Sequence, residues 1–254
     1  MLATVIQRLA QFILPTRCAL CQRIGPDVLC SECRRMLEPV GALYCLRCGR
    51  RRQTSFASPD CAECHGETLG MVRGRSLYIY NEAARNLLAE FKFKGNTGAG
   101  KELAADLANW VSRGWNSVYD EPDAAVDLVV PVPLFPARKR ERRFNQAELP
   151  ARVISSAMGV TCRPEVLERT RRTETQVGLS ANKRRLNVQG AFAVPEDERG
   201  KLKGKRVLLV DDLMTTGSTL WACSVALRKG GAAAVYGLTI MSTVRAVEPV
   251  KDSQ

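Results

Sequence analysis

The chain reads as an α/β protein, a parallel sheet with helices on both faces, preceded by a small cysteine-rich module. Three observations carry this. Short apolar runs suited to buried strands (127–133, DLVVPVP; 205–210; 233–241) alternate with longer helical patterns. Four Cys-x-x-Cys pairs occupy the amino-terminal quarter of the 254 residues. One segment, Val207 to Leu220 (VLLVDDLMTTGSTL), sets two adjacent carboxylates and a hydroxyl-rich turn between a strand and a helix.

The elements follow in order. In the first residues, MLATVIQRLAQFILP, Leu2, Val5, Ile6, Leu9, Phe12 and Ile13 recur at helical spacing. Arg8 and two glutamines interrupt the apolar run and no small-residue cleavage site follows, so the pattern predicts a short amphipathic helix and not a secretory signal. The pairs Cys18/Cys21, Cys30/Cys33, Cys45/Cys48 and Cys61/Cys64 come next. Each forms one knuckle with two converging thiolates. Two knuckles make the four-sulfur tetrahedron that structural zinc prefers, so eight ligands imply two zinc ions. Sequential pairing joins Cys18/Cys21 with Cys30/Cys33 and Cys45/Cys48 with Cys61/Cys64; interleaved pairing is the alternative. Disulfides are disfavoured because nothing points to export. Gly49 directly follows one knuckle, and Arg23, Arg47 and Arg50 to Arg52 stand near the knuckles to offset thiolate charge. His65, the single histidine, reads as a solvated neighbour of Cys64, so no histidine remains for acid–base catalysis. Cys162 and Cys223 lie outside the module, and Cys223 reads as core.

Residues 66–75, with Gly66, Gly70 and Gly74, read as a linker. A strand is expected over 76–80, a helix over 82–93 with Ala84, Leu87, Leu88 and Phe91 on one face, and a second helix over 101–111. A polar connection over 115–127 leads to the strand that Pro131 and Pro133 close. The basic run 138–146 (RKRERRFNQ) opens a helix ending near Met158. A further strand is expected near 161–167, then a polar basic loop over 169–190. The strand at 205–210, a helix over 217–229, a strand over 233–241 and a frayed tail from Val244 complete the chain. The expected domains are 1–66, 76–243 and a tail, 244–254.

Lys and Arg number 38 against 26 Asp and Glu, a formal charge of +12. Such an excess points to polyanionic partners. Between Leu134 and Gly190 there are thirteen Lys or Arg and five acids, +8 of that +12. A basic lid of this kind can cover a diphosphate and exclude water, or track a nucleic-acid backbone. Aromatic residues are 6% of the chain, and Tyr44, Phe56 and Phe144 are the candidate stacking platforms. Mean hydropathy is -0.15. No apolar run reaches the 18 residues or so of a transmembrane helix.

The segment 207–220 describes a site for a phosphorylated sugar. Backbone N–H groups of the turn and the positive end of the helix dipole can hold a phosphate dianion. The hydroxyls of Thr215, Thr216, Ser218 and Thr219 add donors, and Gly217 lets the backbone approach closely. Asp211 and Asp212, at a strand end, can accept from two vicinal ribose hydroxyls. This order of residues resembles the 5-phosphoribosyl 1-diphosphate (PRPP) motif of the type I phosphoribosyltransferases. Two further blocks agree: Arg142-Arg143-Phe144-Asn145-Gln146, similar to an RGFNQ-type block, and Thr175-Gln176-Val177-Gly178-Leu179-Ser180 followed by Arg184/Arg185, Asn187 and Gly190-Ala191-Phe192. With the double zinc ribbon in front, residues 14–242 resemble the ComF family.

That resemblance implies a cytoplasmic bacterial protein with a phosphoribosyltransferase-type domain that serves natural transformation by handling incoming single-stranded DNA, with protein partners in the uptake machinery. It implies PRPP as ligand with magnesium bridging its diphosphate and ribose oxygens, Asp211 and Asp212 as the catalytic pair, Thr215 to Thr219 on the 5′-phosphate, and Pro131, Val132 and Pro133 approaching the diphosphate. Arg143, Asn145, Gln146, Gln176, Arg184 and Arg185 fall to the lid or to nucleic acid. The rival reading is an active transferase with its own acceptor. Arg143 stands where the family block has glycine, and a positive φ there would strain the turn.

Overall fold

Five strands, Arg73–Ile79, Ala234–Ser242, Arg206–Met214, Leu128–Pro131 and Thr161–Cys162 in spatial order, pair in one parallel sheet that carries the acidic pair of the candidate site. The computed structural model describes residues 16–52, 60, 61, 64, 70–114, 125–173 and 186–244. The amino-terminal helix, Phe56, His65, Gln176, Arg184, Arg185 and the end of the tail lie outside the described residues.

A short helix α1 (Ser31–Arg35) lies in the cysteine module. Then come β1 (Arg73–Ile79), α2 (Glu82–Phe93), α3 (Thr97–Ser112) and β2 (Leu128–Pro131). Next are α4 (Pro136–Arg142), α5 (Glu148–Met158), β3 (Thr161–Cys162), β4 (Glu168–Arg169) and β5 (Phe192–Ala193). The chain then runs through α6 (Glu196–Leu202), β6 (Arg206–Met214), α7 (Ser218–Lys229) and β7 (Ala234–Ser242). Helix α2 has the expected bounds, with the Asn81 side chain accepting from Ala84 N. Helix α3 starts four residues early because Asn96 caps it the same way, through Ala99 N.

The central strand is buried on both faces, as its apolar run predicts. Leu208 and Val210 share one core with Leu87, Phe91, Leu103, Leu107 and Ile154 of α2, α3 and α5. Val207 and Leu209 face the other, with Leu220 and Leu227 of α7 and Phe192 of β5. Two expectations are corrected. The strand near 161–167 breaks after Cys162, because Pro164 opens a 3₁₀ turn over Pro164–Val166 and carries no N–H for a ladder. The short β4 that follows pairs antiparallel with β5 outside the main sheet. Helix α6 was not anticipated; Pro195 followed by Glu196, Asp197 and Glu198 is a helix-start signal.

Nor do residues 70–75 form a linker. Gly70 lies so close to α7 that a Cβ would stand 2.8 Å from Val225 N, and a Cβ on Gly237 would meet Met71 Sδ at 2.3 Å. The cysteine module wraps the free edge of β1. Val40 N donates to Leu77 O (3.0 Å) and Ile79 N to Glu38 O (2.8 Å), which covers an edge otherwise open to pairing. On either side of this crossing the two cysteine clusters join opposite cores. Cys18 and Cys33 pack with the α2–α3 face, and Cys45, Cys48 and Cys64 with the α7 face.

Candidate functional site

The cysteines converge as two sequential clusters, Cys18/Cys21/Cys30/Cys33 and Cys45/Cys48/Cys61/Cys64, with all four sulfurs of each within 4.8 Å of one another. This decides against interleaved pairing. A zinc–sulfur bond of about 2.3 Å gives a tetrahedral edge of about 3.8 Å. Cys21 and Cys30 Sγ stand 3.9 Å apart, as do Cys48 and Cys61 Sγ, so the donor set and spacing fit zinc. The residue after each first knuckle turns left-handed, Gln22 at φ 60 and Gly49 at φ 74. Of the arginines expected to offset thiolate charge, Arg50 donates its Nε to Cys48 Sγ at 3.4 Å, whereas Arg23, Arg47 and Arg51 pair with Glu32, Asp60 and Glu38.

The phosphate-type turn lines a cavity of about 300 Å³ beside the residues that follow β2 and the acidic pair of β6. Gly217 caps α7 at φ 80, a conformation that glycine tolerates without penalty. Thr215, Gly217, Ser218 and Thr219 line the cavity. Thr216 does not; its hydroxyl pairs with Ser218 Oγ at 2.8 Å and accepts from Ser218 N at 3.4 Å. Pro131 is likewise absent from the lining, because it is the last residue of β2 and faces Val210 in the ladder. Val132, Pro133 and Leu134 line the cavity instead.

Asp211 and Asp212 form the floor. They sit within β6 and not at its end, since β7 carries the pairing on to Met214↔Ser242. Strand alternation sends their side chains to opposite sides of the strand axis, and both still reach the cavity. Asp211 accepts from Asp212 N at 2.9 Å. Burial, and then the neighbouring Asp212 charge, push the Asp211 carboxyl up to about 7, against the pull of Lys92. Asp212 forms an ion pair with Lys92 Nζ at 2.8 Å, both side chains largely buried.

The cavity also has cationic walls. Arg138 and Arg142 of α4 and Arg169 of β4 line it. Arg142 stacks over Phe93 (5.1 Å) and Arg169 over Phe192 (5.4 Å). Burial lowers the affinity of both guanidiniums for their protons. Asn145 and Gln146, expected on a lid, are buried and serve this wall. Asn145 Nδ2 donates to Val132 O (2.9 Å), holding the loop after β2, and Gln146 Oε1 accepts from Arg142 Nη1 (3.0 Å). Arg143 is exposed and outside the cavity; its neighbour Arg142 is the one turned inward. Its φ of 66 bears out the positive φ of the glycine position in the block. Lys92, Arg138, Arg142 and Arg169 were not singled out individually. Lys92 reads locally as a helix-end cation, Arg138 and Arg142 stand in a basic run that carries no mark of which members face inward, and Arg169 opens a basic segment with no mark of its own.

Comparison with known proteins agrees with this layout. Residues 9–65 match the double zinc ribbon domain and residues 145–251 the phosphoribosyl transferase domain. Competence protein F of Haemophilus influenzae is 30% identical over 218 residues, 85% of this chain and 92% of its own. Competence protein ComFC of Bacillus subtilis is 30% identical over 223 residues, 86% of each chain. The DNA utilization protein YhgH of Escherichia coli is 29% identical over 225 residues, covering 87% of this chain and 95% of its own.

Proposed function

This chain belongs to the ComF family, and from that premise we propose that it is a PRPP-binding, phosphoribosyltransferase-type protein of DNA uptake that handles single-stranded DNA in the cytoplasm. One observation carries the ligand assignment. A single cavity is lined by a helix amino terminus, a carboxylate pair and three arginines, the kinds of group that the phosphate, ribose and diphosphate of PRPP each need. The 5′-phosphate sits on the amides and hydroxyls of Thr215 and Gly217 to Thr219. The ribose hydroxyls donate to Asp211 and Asp212, with Lys92 balancing the charge of Asp212. The diphosphate lies along Val132 to Leu134, facing Arg138, Arg142 and Arg169. Magnesium bound with PRPP would supply further charge neutralisation, with Asp211 and Asp212 the carboxylates of the cavity that could hold it.

The chain's own groups position and stabilise charge without a histidine base. Diphosphate departure would leave positive charge at the ribose carbon, which the buried carboxylates face. Transfer to an acceptor is therefore the second reading, and the arginine cluster at the leaving-group end favours it. The basic surface supports single-stranded DNA as the partner.

Calorimetry of magnesium–PRPP binding to the wild type and to Asp211→Asn/Asp212→Asn tests the assignment, with diphosphate release followed with and without single-stranded DNA. Binding that the double variant loses supports the PRPP site. DNA-dependent diphosphate release would make the protein an enzyme, and absence of binding would overturn the assignment.

A further inference from the structure

The pattern Cys-x-x-Cys-x-Arg occurs three times, as Cys18 to Arg23, Cys30 to Arg35 and Cys45 to Arg50, and Arg23 and Arg50 hold equivalent places in the first knuckle of each cluster. The two arginines have different fates. Arg23 is exposed and pairs with Glu32 beside the first cluster (2.8 Å). Arg50 is only 5% exposed and spans from the second cluster to the phosphate-type loop. Its Nε donates to Cys48 Sγ at 3.4 Å, and its Nη1 donates to the Thr215 carbonyl at 3.1 Å. The same carbonyl accepts from Thr243 Oγ1 at 3.1 Å.

The trans peptide is planar, with C=O and N–H pointing in opposite directions. Two donors on the Thr215 carbonyl therefore fix the Thr216 N–H as well, and turn it away from the zinc ribbon. This peptide is the first of the loop, and Gly217 and Ser218 follow it into α7. Its orientation sets where the next amides point. The foundation of Arg50 is rigid. Gly49 N donates to Cys45 O (2.8 Å), and a Cβ on Gly49 would stand 2.3 Å from Gly74 O, so the knuckle backbone lies directly against β1. The guanidinium is thus clamped between a metal-ligand sulfur and a loop carbonyl.

We infer that Arg50 is a positioning residue for the phosphate loop, so that the loop's hold on a sugar 5′-phosphate depends on the integrity of the second cysteine cluster. The inference rests on the reading of that loop as the PRPP site. It makes the ribbon part of the ligand-binding apparatus and not a separate attachment. It also predicts that agents that eject zinc from the second cluster silence the PRPP site.

The test compares wild type, Arg50→Met, Arg23→Met and Cys61→Ser in the full chain. Three quantities are measured: zinc per chain, magnesium–PRPP affinity by calorimetry, and amide hydrogen exchange of peptides covering 213–219. Arg50→Met is expected to keep two zinc ions per chain, to bind PRPP about tenfold more weakly or worse, and to exchange faster over 213–219. Arg23→Met, at the equivalent place of the first knuckle, is expected to match the wild type in all three. Cys61→Ser is expected to reproduce the affinity and exchange changes while losing zinc. Wild-type affinity together with wild-type exchange in Arg50→Met would overturn the inference, whatever Cys61→Ser does. If the wild type itself fails to bind PRPP, the ligand assignment falls and the exchange comparison alone decides whether Arg50 positions the loop.

Discussion

Two side chains show how single positions are set against local preference. Arg143 holds φ 66 at the carboxyl end of α4, a left-handed conformation that costs a residue with a Cβ about 1–2 kcal/mol. Glycine would remove that strain but add unfolded-chain entropy. Arg143→Gly is therefore expected to raise stability by about 0.5–1 kcal/mol, read as a higher denaturation midpoint, with PRPP affinity unchanged because Arg143 is outside the cavity. Asp211 is the second case. Its carboxyl is raised to about 7 in the fold from an ordinary 3.8. Between those values the folded chain holds a proton that the unfolded chain has released, so this group's contribution to stability falls as pH rises from about 4 to 7. Asp211→Asn is expected to remove that dependence. Relative to the variant, the wild type should lose up to about 4 kcal/mol across the window. Denaturation midpoints of both proteins at pH 5 and pH 8 check this, and parallel curves would refute it.

At the scale of elements, the docking of the first ribbon onto α3 depends on one mixed network. Arg34 of α1 pairs with Glu102 and Asp106 of α3, and Asp106 also accepts from Tyr78 Oη of β1 at 3.0 Å. Burial, then the Asp106 charge, push the Tyr78 hydroxyl well above its ordinary value, so it stays a donor. Asp106→Ala removes one of the two carboxylates on the half-buried Arg34 guanidinium and takes the acceptor from the half-buried Tyr78 hydroxyl. The expected loss is about 2–3 kcal/mol, measured by denaturant unfolding. Asp106→Asn keeps the acceptor for Tyr78 and should lose less. Along β6, the ladder to β7 keeps the acidic pair inside regular strand geometry, which holds both carboxylates more firmly than a loop would.

For the whole molecule, the ribbon and the sheet share their cores, since cysteines of both clusters are buried among residues of the sheet and its helices. Zinc removal by a strong chelator is therefore expected to lower the thermal midpoint of the entire protein in one transition; a ribbon that melted alone, leaving the sheet's midpoint unmoved, would contradict the shared core. The net charge of +12 sets the expected mode of nucleic-acid binding. Neutralising three to five phosphates of a single strand gives a plot of log affinity against log salt with a slope of about −2 to −3.5. Affinity that does not change with salt would remove single-stranded DNA from the proposed function.

Order along the chain was enough for the α/β class, the position of α2, the doubly buried β6, eight metal ligands and the Asp211–Asp212–turn–helix segment. All of these depend on neighbours within a few residues, where periodicity, capping and knuckle spacing act directly. The break at Pro164 is legible too, since a proline inside an apolar run cannot donate to a ladder. What the chain could not state was which distant groups would meet. Lys92 and Asp212 are 120 residues apart and Arg50 and Thr215 are 165 apart. Which arginine of the run 138–143 turns inward depends on where α4 ends and Gln146 lies, and the pairing of the eight cysteines depends on which knuckles the fold brings together. Such contacts are made by the crossing of β1, the stacking of α2 on the sheet and the return of β6, and a charge or a thiol carries no local mark of the partner that packing will bring to it.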